Sequence, residues 1–156
     1  MPDVNTNVNI SELLKPDDVL FTDATAKKEV FSLLIQHLAK KPEIKDAHEL
    51  EEGIWYRESL MSTGIGLGIG VPHVRLASVE NLIMSAAVCK QGITDYESMD
   101  KMPVKLVFMI VAGKGQHALY LKALAALSVK FKDISLREQL INAKDAESFC
   151  SILAGK

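Results

Sequence analysis

Glycine occupies every second position from residue 64 to residue 70, and a histidine follows at position 73. Ordering four glycines costs conformational entropy, because glycine loses more backbone freedom on folding than any other residue. A backbone without Cβ atoms can be approached closely, either by a bound group or by another part of the fold. The spacing therefore leaves two interpretations open: a binding loop, or a strand face that another element crosses tightly.

His73 ends this stretch and directly follows Pro72. Proline fixes its own φ and pushes the preceding residue, Val71, towards an extended conformation. The histidine is therefore held by a stiff backbone, which suits a reactive side chain. A neutral imidazole is nucleophilic near pH 7, because histidine titrates close to that pH. It can accept a phosphoryl group on one ring nitrogen if a hydrogen bond holds the other.

Several residues near this histidine could bind the anion that it would carry. Ser62 and Thr63 offer hydroxyls, and the glycine stretch from Gly64 onwards offers backbone N–H groups. Arg57 and Arg75 could supply charge, since arginine binds phosphate in a bidentate fork. The alternative for both arginines is plain surface charge. These five residues are the predicted phosphoryl-binding set.

A second histidine, His117, begins a predicted helix shortly after a strongly apolar segment. Ligands of α/β proteins tend to bind beside the carboxyl ends of strands, and helix N-termini favour anions. We therefore expect His117 to donate a hydrogen bond to a phosphoryl group on His73. The alternative is a buried polar residue at the top of an apolar helical stripe.

Other catalytic motifs are missing from the sequence. The glycine stretch does not match the Gly-x-Gly-x-x-Gly fingerprint of dinucleotide-binding proteins, and Gly113-Lys114 is followed by glycine where a P-loop needs Ser or Thr. No Gly-x-Ser-x-Gly elbow and no Cys/His zinc spacing occur. The sequence indicates no metal and no organic cofactor.

The elements of the first half of the chain follow from hydrophobic spacing. Residues 19–21 are a short predicted strand, and residues 26–40 are a predicted amphipathic helix with Thr25 as its N-cap. A second helix begins at Asp46, and we expect its glutamates, Glu58 among them, to face water.

Two strands and three helices are predicted for the second half. Residues 82–88 and 104–111 are apolar, and the second segment is typical of a central strand covered on both faces. A helix spans about 116–131, and shorter helices lie near 135–142 and 145–154. This order predicts an α/β fold, a three-layer sandwich in which a small mixed β-sheet is flanked by helices on both faces. The predicted stripe of the first of these helices comprises His117, Leu121, Leu124, Ser128 and Phe131.

Length and composition are typical of one ordinary domain. The chain has 156 residues, 48% of them hydrophobic, and a net charge of −2. This length can bury a sizeable core without disulfides or metals, and the apolar content argues against disorder. We predict a flexible N-terminus over residues 1–9 and a single domain over residues 10–156.

The same figures bear on partners and location. Without an excess of Lys and Arg to neutralise phosphates, the chain is not expected to bind nucleic acid. No signal peptide and no apolar run near the length of a membrane span occur, so direct membrane insertion is not expected. Cys89 and Cys150 are predicted to be buried free thiols in a reducing compartment. The predicted location is therefore cytoplasmic.

Residues 57–75, RESLMSTGIGLGIGVPHVR, resemble the signature of the type-2 enzyme IIA (EIIA) domains of the bacterial phosphoenolpyruvate-dependent sugar phosphotransferase system (PTS). The group includes fructose, mannitol and nitrogen-regulatory members. Its pattern runs Arg-Glu, a short spacer, Ser-Thr-Gly-Ile-Gly-x-Gly, then Ile-Ala-(Ile/Val)-Pro-His. The similarity covers about residues 10 to 153. The sequence departs from the family pattern in two places. Gly70 replaces the usual Ala, which should loosen the backbone before His73, and residues 112–116 replace a stretch that often contains Pro.

The resemblance implies roles for three residues. His73 matches the phosphorylated histidine, Arg57 matches the arginine that helps hold the phosphoryl group, and His117 matches the second, unphosphorylated histidine. The implied donor is the phosphocarrier protein HPr or a paralogue, and the implied acceptor is a cysteine of an enzyme IIB (EIIB) domain. The implied activity is thus phosphotransfer through a phosphohistidine intermediate.

Two alternatives to a sugar-transport component remain open. In the nitrogen-regulatory branch, the phosphorylation state of the histidine controls partner proteins instead of sugar uptake. The second alternative is a binding module that keeps the fold but has lost phosphotransfer. The presence of Arg57 and His73 argues against this alternative.

Overall fold

A computed structural model of the protein describes residues 10–155. The predicted flexible segment, residues 1–9, lies outside this range. One strand, two long helices, five further strands and three helices follow one another in the order that the sequence predicts. The elements are α1 (Ile10–Leu13), a 3-10 turn (Pro16–Asp18), β1 (Val19–Thr22), α2 (Lys27–Ala39), α3 (Ala47–Leu60), β2 (Gly64–Gly66), β3 (Ile69–Gly70), β4 (His73–Leu76), β5 (Ile83–Ile93), β6 (Val104–Gly113), α4 (His117–Lys130), α5 (Ile134–Ile141) and α6 (Ala146–Leu153).

The six strands form one mixed sheet with the order β1-β5-β6-β3-β2, and β4 also pairs with β6. Strand β6 is antiparallel to β5 and parallel to both β3 and β4. Strands β3 and β4 lie in line along the same edge of β6, where Gly70 pairs with Val107 and His73 pairs with Ile110. All of β6 except Lys105 is buried, which confirms the predicted central strand.

Helices cover both faces of this sheet. Helices α2 and α3 enclose one apolar cluster with one side of β5 and β6, whereas α1, α4, α5 and α6 enclose a second cluster on the other side. The predicted three-layer α/β sandwich with a small mixed sheet is therefore confirmed. Within residues 10–155, no helix is long and apolar enough to cross a membrane.

The start of α2 differs from the prediction. Ala26 is the N-cap, and it makes no side-chain capping hydrogen bond. Asp95, in the loop after β5, instead accepts the N–H of Lys27 at 2.7 Å. The carbonyl of Thr25 accepts the N–H of Thr94, so this segment is paired with the same loop. The prediction of Thr25 as N-cap was wrong because the cap comes from a distant part of the sequence.

The buried face of α4 also differs from the predicted stripe. Tyr120, Ala123 and Leu127 face the core, whereas Leu121 and Ser128 are exposed. The helix is apolar on most of its circumference, so spacing alone does not determine which side packs against the sheet.

Both cysteines are free thiols, as predicted, but only Cys89 is fully buried. Burial raises the pKa of the Cys89 thiol to about 12. Cys150 is half-buried, and burial raises the pKa of its thiol as well. Neither thiol is therefore activated towards reaction.

Candidate functional site

The backbone that carries His73 is held on both sides of the Val71-Pro72 step. The N–H of Val71 donates to the carbonyl of Thr63 at 3.0 Å, and the N–H of Ile110 donates to the carbonyl of Pro72 at 3.0 Å. The step lies between β3 and β4 on the edge of the central strand. The histidine therefore begins β4 at a position fixed by the sheet itself.

The imidazole of His73 has one nitrogen fixed by a hydrogen bond. Its Nδ1 lies 2.7 Å from the carbonyl oxygen of Val71. A carbonyl oxygen only accepts hydrogen bonds, so the proton of the neutral ring lies on Nδ1 and the lone pair lies on Nε2. The ring is half-buried and contacts the ring of Tyr120, with centroids 5.2 Å apart. This geometry provides the fixed nitrogen that a phosphoryl-accepting histidine requires.

The surroundings of His73 favour the neutral ring. Burial lowers the pKa of His73 below its ordinary value, and the positive charge of Arg57 lowers it further. The hydrogen bond to Val71 and the charge of Glu58 act in the opposite direction but do not outweigh burial. The ring is therefore mainly neutral at pH 7, and its Nε2 lone pair is available as a nucleophile.

Arg57 lies in the last turn of α3, where the helix ends at an extended Met61. Its Nη1 donates to the carbonyl of Met61 at 2.9 Å, which orients the half-buried guanidinium. Within residues 10–155 no other hydrogen bond of this side chain occurs, so most of its N–H donors are open to an anion. Its effect on the pKa of His73 places its charge close to the imidazole.

His117 is the exposed first residue of α4. It lies one turn before Tyr120, and residues three apart in a helix share a face. His117 is therefore on the side of α4 whose next turn contacts the His73 ring. The preceding loop is closed by two hydrogen bonds, because Gly113 donates to the Gln116 side chain at 2.8 Å and Gln116 donates back to the Gly113 carbonyl at 3.1 Å.

Ser62, Thr63 and Gly64 lie beside the site, but their donors have partners within the protein. The Ser62 hydroxyl donates to the carbonyl of Glu97 at 2.5 Å and accepts the N–H of Gly64 at 3.2 Å. Thr63 is buried, and both its N–H and its hydroxyl donate to Glu58. In this structure the three residues therefore shape the loop and do not offer free donors.

Arg75 lies on β4, two residues beyond His73, so the two side chains share one face of the strand. It is exposed, and within the described range it forms no hydrogen bond or ion pair. The strand places this charge near the histidine without fixing where the guanidinium points.

The sequence analysis missed a buried cluster beneath the site. Glu58 is only 7% exposed, so the expectation that it faces water was wrong. Its Oε2 lies 2.7 Å from Nζ of Lys27 and 3.0 Å from the N–H of Thr63, and its Oε1 accepts the Thr63 hydroxyl at 2.7 Å. The hydroxyls of Thr63 and Tyr96 lie 2.5 Å apart. Helical spacing could have indicated that Glu58 is buried, because Glu58 lies four residues after the buried Ile54 and shares its face.

The glycine alternation is explained by close packing. A Cβ on Gly70 would lie about 2.5 Å from the ring of Tyr96, and a Cβ on Gly64 would lie 2.3 Å from the carbonyl oxygen of Glu97. The loop after β5 thus crosses this segment tightly, which was one of the two interpretations of the sequence. The turn between β2 and β3 uses the positive φ of Gly66 and Gly68.

The site combines a histidine at a rigid strand start, one fixed ring nitrogen, an arginine whose charge acts on the ring, and a second histidine one helical turn before the tyrosine that contacts it. The sequence model of the family described as "Phosphoenolpyruvate-dependent sugar phosphotransferase system, EIIA 2" matches residues 12–156. The chain belongs to this family, as the motif in residues 57–75 predicts.

Two branches of the family are represented among its relatives. The chain is 36% identical to the PTS system fructose-specific EIIABC component of Bacillus subtilis (strain 168), over 94% of its own length but 23% of that protein. It is 33% identical to a nitrogen regulatory protein of Bradyrhizobium diazoefficiens, over 93% of its own length and 94% of that protein. The chain thus spans about a quarter of the first relative and nearly all of the second.

The fold is also similar to that of solved IIA structures. The nitrogen regulatory protein IIA-Ntr from Neisseria meningitidis superposes with a TM-score of 0.85 at 28% identity, covering 92% of this chain and 98% of that one. IIA mannitol from Escherichia coli superposes with a TM-score of 0.73 at 20% identity, over 88% of this chain and 96% of that one. The second comparison concerns the fold alone.

Proposed function

We propose that the protein is a phosphocarrier that accepts a phosphoryl group on Nε2 of His73 and passes it on. The observation that carries this proposal is the hydrogen bond from Nδ1 to the carbonyl of Val71, which leaves Nε2 as the nucleophilic nitrogen. The donor is an HPr-like phosphocarrier protein with a phosphohistidine of its own. The acceptor is the cysteine of an EIIB domain, and the exchange takes place in the cytoplasm.

The transfer is a displacement at phosphorus. The lone pair of His73 Nε2 attacks, the phosphorus–nitrogen bond of the donor breaks, and its electron pair returns to the donor ring. The proton stays on Nδ1, and its hydrogen bond to the carbonyl oxygen of Val71 stabilises the positive charge that the ring gains. In the second step a cysteine thiolate attacks the phosphorus, the bond to Nε2 breaks, and the imidazole recovers its lone pair.

Arg57 and His117 are the proposed partners of the phosphoryl oxygens. Arg57 comes from α3 on one face of the sheet and has open N–H donors, and His117 begins α4 on the other face. Both can stabilise the negative charge that is transferred, since preorganised donors lower the barrier to such a transfer. Arg75 is a further candidate, whereas Ser62, Thr63 and Gly64 would first have to release their present partners.

Control of partner proteins is the second candidate function. The nitrogen regulatory relatives match this chain over nearly their whole length, as in the 94% coverage of the Bradyrhizobium protein. In this case the same phosphorylation of His73 serves as a signal. Transfer from the phosphorylated protein to an EIIB cysteine separates the two functions, because only a transport component needs that step.

Incubation with phosphoenolpyruvate, enzyme I and HPr tests the proposal. We expect the wild-type protein to gain one phosphoryl group, and His73→Ala to gain none because it lacks the nucleophile. His48→Ala is the matched control, since His48 is an exposed histidine paired with Glu52 on the surface of α3. Uptake by His73→Ala at the wild-type rate would show that another residue is the acceptor.

A further inference from the structure

The buried cluster beneath the site is connected to His73 by an unbroken series of hydrogen bonds. Glu58 accepts both the N–H and the hydroxyl of Thr63. The carbonyl of Thr63 accepts the N–H of Val71, and the carbonyl of Val71 accepts Nδ1 of His73. Each residue in this series therefore fixes the backbone or the ring of the next one.

The direction of these bonds follows from the chemistry of the groups. A carboxylate only accepts, so the single hydroxyl proton of Thr63 is used on Glu58. The hydroxyl of Tyr96, 2.5 Å away, must then donate to the oxygen of Thr63. Burial raises the pKa of Tyr96, and the charge of Glu58 raises it further, so the phenol keeps the proton that it donates.

Lys27 stabilises the buried carboxylate of Glu58 by neutralising its charge. An unpaired buried charge is strongly destabilising, whereas the ammonium of Lys27 lies 2.7 Å from Glu58. The same ammonium lies 4.7 Å from the centre of the Tyr96 ring, which adds a cation–π contact. Tyr96 in turn packs on the Cα of Gly70, the residue before Val71. The cluster thus holds the segment before His73 at Thr63 and at Gly70.

We propose that Glu58, paired with Lys27, is a positioning residue that acts through Thr63 and Val71 to keep the proton of the His73 ring on Nδ1. Its carboxylate does not touch the phosphoryl group. It selects the nitrogen that reacts, because the ring can expose the Nε2 lone pair only while the Val71 carbonyl stays within reach of Nδ1.

The ratio of the two His73 tautomers measures this role directly. Nitrogen-15 NMR of the unphosphorylated protein, at a pH where the ring is neutral, distinguishes a proton on Nδ1 from one on Nε2. We expect Glu58→Gln to lower the ratio of the Nδ1–H to the Nε2–H form about fivefold, as the weakening of one hydrogen bond implies. The reason is that the amide of glutamine presents an N–H group to one of the two Thr63 donors.

Asp18→Asn is the matched control. Asp18 is also a buried carboxylate in an ion pair with a lysine, Lys41, at 2.8 Å, but it lies directly before β1, which β5 and β6 separate from β4. We expect this variant to lose stability without changing the tautomer ratio. An equal change of the ratio in both variants would reduce the role of Glu58 to general stability and overturn the proposal.

Two further variants decide the question if Glu58→Gln does not fold. The double variant Glu58→Gln, Lys27→Met removes both charges together, so no unpaired charge is left in the core. Tyr96→Phe keeps the carboxylate and removes only the hydroxyl that donates to Thr63. We expect the double variant to show the full fall in the ratio and Tyr96→Phe a smaller one. An unchanged ratio in the double variant overturns the proposal.

Phosphorylation by phospho-HPr provides a second readout, which rests on the proposed function. We expect Glu58→Gln to slow uptake in proportion to the fall in the fraction of rings that carry the proton on Nδ1, and Asp18→Asn to leave it unchanged. If the wild-type protein takes up no phosphoryl group, the proposed function fails, while the tautomer ratio still decides the role of Glu58.

Discussion

At His73 burial and one hydrogen bond together meet two opposing requirements. A phosphoryl acceptor must be neutral to attack, yet its ring must not rotate or exchange its proton between the two nitrogens. Burial lowers the pKa of His73, and the Val71 carbonyl fixes Nδ1 at 2.7 Å. The side chain is therefore both nucleophilic and oriented before any partner binds.

Replacing Arg57 tests the electrostatic part of this arrangement. The charge of Arg57 lowers the pKa of His73, so Arg57→Ala should raise that pKa while burial still holds it down. NMR titration of the imidazole measures the shift. As the pH falls, the variant should therefore lose the neutral ring, and with it phosphoryl uptake, at a higher pH than the wild-type protein.

Arg75→Ala serves as the control for this titration. Arg75 shares a strand face with His73 but does not contribute to the shift of its pKa. The variant should titrate like the wild-type protein. An unchanged or lower pKa in Arg57→Ala would mean that the charge of Arg57 does not lower the pKa of the ring.

Among the elements, the β2–β3 hairpin shows how packing explains the glycines. The Tyr96 ring lies where the Cβ of residue 70 would stand, and the Glu97 carbonyl lies where that of residue 64 would stand. This chain has glycine at position 70, where the family pattern usually has alanine, and the ring of Tyr96 occupies the space that the alanine methyl group would need. The hairpin and the loop after β5 are consequently one packed unit beneath the histidine.

Gly70→Ala should therefore be destabilising although the φ of Gly70 is ordinary. The new methyl group would lie about 2.5 Å from the Tyr96 ring, so the ring or the strand must move. Overpacking of this kind costs about 1–3 kcal/mol of the free energy of unfolding. Urea denaturation measures the loss, and the Nδ1 resonance of His73 should shift because Val71 is the next residue.

Gly115→Ala is the matched substitution for this test. No atom lies within 4 Å of a Cβ at Gly115, so the change should alter stability by no more than about 0.5 kcal/mol. Equal stabilities of the two alanine variants would contradict the packing explanation.

For the whole molecule, stability in acid should depend on Asp18. Burial raises the pKa of Asp18, but hydrogen bonds from Lys41 and His37 lower it by more, so it lies below its ordinary value. A carboxyl with a lowered folded-state pKa stabilises the fold above its unfolded-state pKa of about 4. This contribution is lost as the pH falls through the folded-state value.

Asp18→Asn should accordingly lower the free energy of unfolding by about 2 kcal/mol at pH 7, the value of a hydrogen bond to a charged group. The difference from the wild-type protein should shrink below pH ~4, where the wild-type carboxyl is protonated as well. Urea denaturation at the two pH values measures both differences. A difference that stays constant with pH would show that the charge of Asp18 does not contribute.

Both helical layers of the sandwich contribute residues to the candidate site. Arg57 comes from α3 on one face of the sheet, and His117 and Tyr120 come from α4 on the other face. Strand β4, which begins with His73, lies between these two layers beside β6, and the ring of Tyr120 contacts the imidazole.

The sequence by itself determined the order of the elements and the central strand, and it predicted which histidine would react. Apolar runs and helical spacing are local patterns, and the Val-Pro-His step constrains its own backbone, so none of these needs the rest of the chain. The family signature in residues 57–75 is local in the same sense.

Only the tertiary structure decided what lies beneath the histidine. Glu58 was expected in water and is buried, because Lys27 and Thr63, from two other segments, supply its partners. The cap of α2 comes from Asp95, and the buried face of α4 is fixed by the sheet and not by its own spacing. The spacing of Glu58 four residues after Ile54 indicates a buried face, but it does not indicate which residues of other segments pair with the carboxylate there.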